Sequence, residues 1–347
     1  MFPLRTFRLA LLALLAVALT LPVTPLAGLA QDACPEPECV ETTPEENTAL
    51  VAMYWQEAVW GAQGTIDEIV AKDEVHHWGI AGDTHGLTAF AERWALFNAA
   101  FPDLEFIVGP IVAEGDLAAS QWTATGTHRG EWQGIAPTDK EVSWSGINLF
   151  RFECGLIAES WGEADHVGLR AQLGATDVPA WLATPAATAD LPKTAPAATP
   201  CADDSAEANI ELARRWSEEV WTGQDLEVIS EILAPSAVHH GAAFPDVQGP
   251  EAVAEAVGRQ LESFPDIEIT VEEAIASDGL VAVRWTGIGT QEGELLGLAP
   301  TGQVADMTGI NIYRISCGQV VESWSEMNLI QIVQELREGT GEATPAD

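Results

Sequence analysis

The sequence predicts an α+β protein written twice, and three observations carry that reading. Blocks of residues recur 163 positions apart, each copy starts with helical periodicity, and each then changes to period-two segments divided by turn residues. His76-His77 recurs as His239-His240, Phe101-Pro102-Asp103 as Phe264-Pro265-Asp266, and Gly146-Ile147-Asn148 as Gly309-Ile310-Asn311. From His76 to Asp165, 35 of 90 positions are identical without a gap. Each copy is longer than a solenoid repeat and has the size of an ordinary domain.

The elements of the first copy follow in order. Thr43-Pro44-Glu45-Glu46 fits a capping box with proline at the first helical position. Leu50, Met53, Tyr54 and Ala58 then recur at helical spacing. A short second helix holds Ile66, Ile69 and Val70, and His76-His77 follows it at a helix end. A third helix presents Phe90, Trp94, Phe97 and Phe101 on one face and stops at Pro102. Residues 104–113, 117–129, 141–152 and 156–163 read as strands of an antiparallel meander, separated by Glu114-Gly115-Asp116, Pro137-Thr138-Asp139 and Cys154-Gly155. The expected fold is therefore a tandem of cone-shaped domains, each a curved antiparallel sheet wrapped around about three N-terminal helices. The open end of each cone is the expected pocket.

Composition narrows the function. A net charge of −38 excludes binding to the nucleic-acid backbone and electrostatic anchoring on anionic lipid. Thirteen Trp against two Tyr supply indoles for cores and apolar cavities. Arg5 and Arg8, an apolar run from Leu9 to Leu21, and Gly28-Leu29-Ala30 read as an export signal cleaved after Ala30. Pro22 and Pro25 argue against an uncleaved anchor. The expected organisation is a signal peptide at 1–30, domain 1 at 40–175, an Ala/Pro/Thr-rich linker at 176–203, domain 2 at 204–338 and a disordered tail at 339–347. The mature chain is expected to be secreted or extracytoplasmic, without an integral membrane domain. Cysteine placement repeats with the rest, so Cys39–Cys154 and Cys201–Cys317 are the expected disulfides, with Cys34–Cys154 as the competing pairing.

The strings Phe101-Pro102-Asp103, Gly126-Thr127-His128, Gly134-Ile135-Ala136-Pro137-Thr138, Gly146 to Arg151 and Glu159-Ser160-Trp161 resemble the SnoaL-like polyketide cyclases, also called ester cyclases. The resemblance covers nearly all of the first copy, and the second copy until Asn328. It implies the cone of nuclear-transport-factor-2-like proteins. It also implies ring closure by intramolecular aldol condensation, with no cofactor and no metal. In that family an Asp after the Trp of His-Trp-Asp serves as acid/base. The matching positions here are Gly162 and Ser325, and the His facing that Asp corresponds to Asn148 and Asn311.

Aldol chemistry needs a base beside a carbonyl and donors for the enolate. The candidate catalytic residues are Asp165, Glu163, His77 and His128 of the first copy, since the second has Gln291 for His128 and Asn328 for Asp165. Candidate ligand contacts in the first copy are Trp55, Trp94, Phe97, Trp122, Trp144, Asn148 and Trp161. In the second they are His240, Trp285, Asn311 and Trp324. Each has a plainer role open to it: the His pairs as structural hydrogen-bond partners, Asp165 as a cap, the indoles as core. Histidine spacing does not match a zinc motif. Two functions stay open: a cyclase or isomerase acting on a hydrophobic carbonyl compound, and a binding module for an apolar small molecule. The two copies are further expected to pair as an intramolecular pseudo-dimer.

Overall fold

The computed structural model describes residues 39–78, 82–183, 205–241 and 244–340. The first domain runs α1 (Pro44–Gln56), α2 (Gln63–Ile69), β1 (Val70–Trp78), β2 (Thr84–His85), α3 (Gly86–Ala100), β3 (Glu105–Glu114), β4 (Leu117–Thr127), β5 (Glu141–Glu153), β6 (Leu156–Ala164) and α4 (His166–Leu173). Its α1 begins with the expected capping box: Thr43 accepts from the Glu46 N–H, and the Glu46 carboxylate accepts from the Thr43 N–H. The six strands lie in the order β2-β1-β6-β5-β4-β3. Strands β3 to β6 form the predicted antiparallel meander.

The segment around His76-His77 differs from the expectation. It is strand β1, paired parallel to β6 with His76 opposite Ser160 and His77 opposite Trp161. The pairing is non-local, and Glu74 and His76 are buried, so the segment carries no apolar alternation that would mark it as a strand.

The second domain repeats the plan: α5 (Ala206–Arg215) continuing into a π-helical turn at Trp216–Thr222, α6 (Glu227–Ile232), β7 (Leu233–His240), β8 (Val247–Gln248), α7 (Pro250–Ser263), β9 (Glu268–Ser277), β10 (Leu280–Thr290), β11 (Val304–Ser316), β12 (Gln319–Met327) and α8 (Leu329–Thr340). Its sheet order is β8-β7-β12-β11-β10-β9. In both domains the helices pack on one sheet face and bury the main core.

The opposite sheet faces meet each other. Ile147 and Leu149 of β5 pack with Ile310 and Ile312 of β11 in one buried cluster. The polar contacts across this seam are reciprocal at the 163-residue offset. Ser145 Oγ donates to Glu326 and Thr308 Oγ1 donates to Glu163. The Ala113 N–H donates to Ser277 Oγ and the Ala276 N–H donates to Glu114.

A disulfide joins Cys39 to Cys154. It ties the lead into α1 to the β5–β6 turn, where Cys154 and Gly155 both take positive φ, 53° and 78°. Cys201 and Cys34 lie outside the described residues; so do the proposed leader, most of the linker and most of the tail. Peptide mapping without reduction is expected to return the Cys39–Cys154 pair; a Cys34–Cys154 peptide would contradict it. No helix among the described residues is long and apolar enough to cross a membrane.

Candidate functional site

Each cone is built around one indole. In domain 1, Trp122 on β4 lies over Gly146 on β5, and its Nε1–H donates to Asn148 Oδ1 at 2.8 Å. In domain 2, Trp285 lies over Gly309, and its Nε1–H donates to Asn311 Oδ1 at 3.3 Å. The repeated Gly-Ile-Asn string thus has a physical cause. Glycine leaves room for the ring, and asparagine two residues on, on the same sheet face, satisfies its only donor.

Around this shared seat the interiors diverge. Domain 1 fills its cup with Trp55, Trp94, Phe97, Phe106 and Trp144. Trp55 packs 5.4 Å from Trp122 and 6.1 Å from Trp94, ring centre to ring centre, and donates Nε1–H to Ser120 Oγ. The remaining cavity is about 30 Å³, room for about two waters. Domain 2 carries Val257, Gln260, Ile269, Leu295 and Met307 where the 163-residue offset places Trp94, Phe97, Phe106, Trp132 and Trp144. Its cavity is about 60 Å³, lined by apolar side chains with Asn311, Ser325, Ser217 and Gln260 as polar points.

The domain 1 cavity is also polar at one end. His76 on β1 shares a 2.7 Å bond from Nδ1 with Ser160 Oγ on β6, and Ser160 donates to Glu74 Oε1 at 2.8 Å. A Cβ on Gly162 would sit 2.9 Å from Asn148 Nδ2 and 3.3 Å from His76 Cε1. Asn148 and His76 therefore occupy the space beside the position that matches the family's acid/base. Arg93 on α3 lines the same cavity, and its Nε and Nη2 have no hydrogen-bond partner. Neither do the Trp144 indole N–H and His166 Nε2, while the Tyr54 hydroxyl lies against Trp94 and the Arg93 guanidinium. Burial drives the His76 pKa well below the ordinary histidine value, with the charge of Arg93 adding to the effect. Burial likewise raises the Glu74 pKa, partly offset by Arg93 and by the Ser160 bond. Burial, with a contribution from Arg170, lowers His166 to about 3. Glu74 and Arg93 have Ala237 and Ala256 as counterparts in domain 2.

The four candidate catalytic residues are not gathered in one place. Asp165 caps α4, accepting from the Gly168 N–H at 2.7 Å, and burial lifts its pKa to about 6 against that bond. His128 is fully buried beside Phe101, and its Nδ1 accepts the Thr138 N–H; Gln291 Oε1 accepts the Thr301 N–H in the same way. His77 is half-exposed on the outer side, bonded to Asp83 and Glu159 and stacked on Trp161 at 5.3 Å. Glu163 touches the edge of the domain 1 cavity but spends its hydrogen bond on Thr308 across the seam; burial raises its pKa to about 8.

Of the candidate ligand contacts, Trp55, Trp94, Phe97, Trp122, Trp144 and Asn148 line the domain 1 cavity, and Trp285 and Asn311 line that of domain 2. Trp161, Trp324 and His240 belong to the outer faces. Trp161 lies under the Arg284 guanidinium at 4.7 Å, and Trp324 is part of the shared seam cluster. His240 stacks on Trp324 between Asp246 and Glu322. Burial disfavours the His240 cation, but the two carboxylates prevail and raise its pKa to about 9. Its ring carbons are expected to titrate in NMR near that value, and Asp246→Asn is expected to bring the midpoint down by about one unit or more; an unshifted midpoint would contradict the ion pair. Between the domains, a groove of about 330 Å³ is walled by His77, Asp83, Trp161, Glu163, Arg284 and Asn328 among others.

Sequence reasoning missed Glu74, Arg93 and Ser160 as partners. The signal was their position on elements facing His76, which needed the β1–β6 pairing to be seen.

The family model described as SnoaL-like polyketide cyclase matches residues 50–173 and again 211–336. No curated protein matches the chain. Among solved structures, it is similar to a protein of Jannaschia sp. CCS1 assigned as a SnoaL-like polyketide cyclase, with 26% identity, 40% of this chain and 95% of that one covered, and a TM-score of 0.37. It is also similar to AclR of Streptomyces galilaeus (26% identity, 40% and 89% covered, TM-score 0.36) and to IdmH of Streptomyces antibioticus (28%, 37% and 97%, TM-score 0.33). With the family model matched in both halves and over most of its length, the chain belongs to the SnoaL-like polyketide cyclase family as two tandem copies.

Proposed function

We propose that this is an exported protein whose tandem cones bind a hydrophobic small molecule, with domain 2 as the main binding cup. The observation that carries the reading is the replacement of five aromatic side chains by Val257, Gln260, Ile269, Leu295 and Met307 around an otherwise identical Trp–Asn–Gly seat. An apolar cavity with a few fixed polar points is the ordinary form of a small-molecule site. Asn311 and Ser325, joined by a 2.8 Å hydrogen bond, would orient one polar group of the guest. Closed as it stands, the cavity takes only a few heavy atoms. Met307 and Met327 line it, and thioether chains yield at least cost to a larger guest. The leader at 1–30, the Cys39–Cys154 disulfide and the strongly acidic surface support an extracytoplasmic location.

Crystals of the mature chain pressurised with xenon test the cup directly. A xenon site is expected in domain 2, of higher occupancy than any in the smaller domain 1 cavity. Leu295→Trp and Met307→Trp, which restore the domain 1 residues, are expected to remove it. Xenon in domain 1 alone would overturn the reading.

A pseudo-dimer of domains 40–175 and 204–338 is favoured by a separate observation. The seam exchanges equivalent contacts, Ser145 with Glu326 and Thr308 with Glu163, as an isologous interface between two chains does. Ring closure or isomerisation by proton transfer is the chemistry the family would lend to domain 1.

A further inference from the structure

We infer that domain 1 holds a general-base site for carbon acids in which His76 Nε2 takes the proton and Ser160 and Glu74 relay charge away from it. This rests on the proton-transfer chemistry proposed for domain 1 and names its residues; it does not depend on the domain 2 cup.

The hydrogen-bond directions make the argument. Ser160 has one proton, and it points to Glu74 Oε1. His76 Nδ1, 2.7 Å from the same oxygen, must then be the donor, so Nε2 carries the lone pair. No hydrogen bond among the described residues engages Nε2, and His76 lines the cavity. When Nε2 takes a proton from carbon, the Nδ1 proton passes to Ser160 and the Ser160 proton to Glu74. The products are a neutral His76 with Nε2–H, a neutral Glu74 and a carbanion whose charge sits on its acceptor oxygen. Return of the same protons restores the start, so atoms and charge balance. The relay avoids an imidazolium ion in a site whose burial opposes one. Glu74 is faced by Arg93 from α3 and by Ser160 from β6, with His77 and His85 as the further nearby charges.

The oxyanion has donors waiting. Arg93, the Tyr54 hydroxyl and the Trp94 N–H lie against one another around this cavity, and the Trp144 N–H is buried there without a partner. A guanidinium, a phenol and two indole N–H groups, with only the phenol oxygen among them to accept, stand beside one lone pair and call for an acceptor-bearing guest. The volume of about 30 Å³ encloses the reacting carbon and its acceptor oxygen and little more. Domain 2 cannot do this chemistry: His239 keeps its 2.8 Å bond to Ser323, but Ala237 stands where Glu74 would be.

Nitroethane is a suitable probe, a small carbon acid whose anion places its charge on two oxygens. The full mature chain in D₂O, followed by proton NMR, is expected to exchange the α-hydrogens of nitroethane faster than buffer alone. His76→Gln is expected to return the rate to background and Glu74→Gln to lower it by about a hundredfold, the scale of general-base catalysis. His239→Gln is expected to leave it unchanged. A wild-type rate at background, or a His76→Gln rate equal to wild type, overturns the assignment. A second readout needs no substitution. In ¹⁵N-histidine spectra, His76 is expected to change from the Nδ1–H to the Nε2–H tautomer as pH falls and Glu74 gains its proton. One unchanging tautomer across the range overturns the relay. Xenon binding in domain 2 is unaffected by either result, so the two proposals fail separately.

Discussion

Gly146→Ala is expected to destabilise domain 1 severely, and Gly309→Ala to do the same to domain 2. A Cβ on Gly146 would lie 2.1 Å from Trp122 Cζ2, and one on Gly309 would lie 2.2 Å from Trp285 Cζ2. No real side-chain contact is that short, so the ring or the strand must move. Trp122 cannot move freely: Asn148 holds its N–H, and Trp55 and Phe106 pack 5.4 and 5.5 Å away. Overpacking of a tight core costs about 1–3 kcal/mol and more where nothing yields, so about 3 kcal/mol or more is expected here. Calorimetry on the mature chain reads it as a fall in the melting temperature of the affected domain. An unchanged melting profile would show that the indole seat is looser than its geometry.

The seam carboxyls are expected to lower stability as pH rises from about 5 to about 9. Below 6.5 the buried neutral histidines His76, His166 and His239 act in the opposite direction, so the net fall is expected above about 6.5. Glu163 and Glu326 are both buried at the seam. Burial raises Glu163 to about 8. Burial first, then the charges of Asp165 and Glu163, raise Glu326 well above the ordinary carboxylate value. A carboxyl whose folded pKa exceeds its unfolded one binds its proton more tightly when folded. Its contribution is therefore complete below the unfolded value of 4.5 and is lost as pH climbs through the folded value near 8. At about 1.4 kcal/mol per unit, the Glu163 change alone is on the order of 5 kcal/mol. His240 adds loss in the same direction, in the window between its ordinary 6.5 and about 9. The comparison that isolates the seam is urea unfolding of wild type against the double variant Glu163→Gln, Glu326→Gln. Glutamine keeps an acceptor for Thr308 and Ser145 and cannot ionise. The variant is expected to lose less stability with rising pH; parallel curves would contradict the assignment.

The architecture was readable because its signals are local or repeated. The capping box at Thr43 and the four meander strands follow from residues near one another, and Cys39–Cys154 was the favoured of two pairings that cysteine placement left open. Strand β1 was not readable, because its pairing to β6 is set by distant residues and its inward side chains, Glu74 and His76, are polar. The direction of Glu163 was within reach. On β6, Ser160, Gly162 and Ala164 face the cup, so period-two alternation turns Trp161 and Glu163 to the opposite face. The unequal interiors were also written in the aligned copies, where Val257, Gln260, Ile269, Leu295 and Met307 stand in place of aromatic rings. What no single sequence supplies is that the domain 1 indoles pack on one another tightly enough to leave about 30 Å³.

Native mass spectrometry of the chain purified from its own host tests the binding claim most directly. Wild type is expected to carry a small apolar molecule that the Leu295→Trp, Met307→Trp double variant lacks and that a His76→Gln variant retains. A wild-type chain of bare mass, or an adduct that survives when both tryptophans fill the domain 2 cup, would contradict the account.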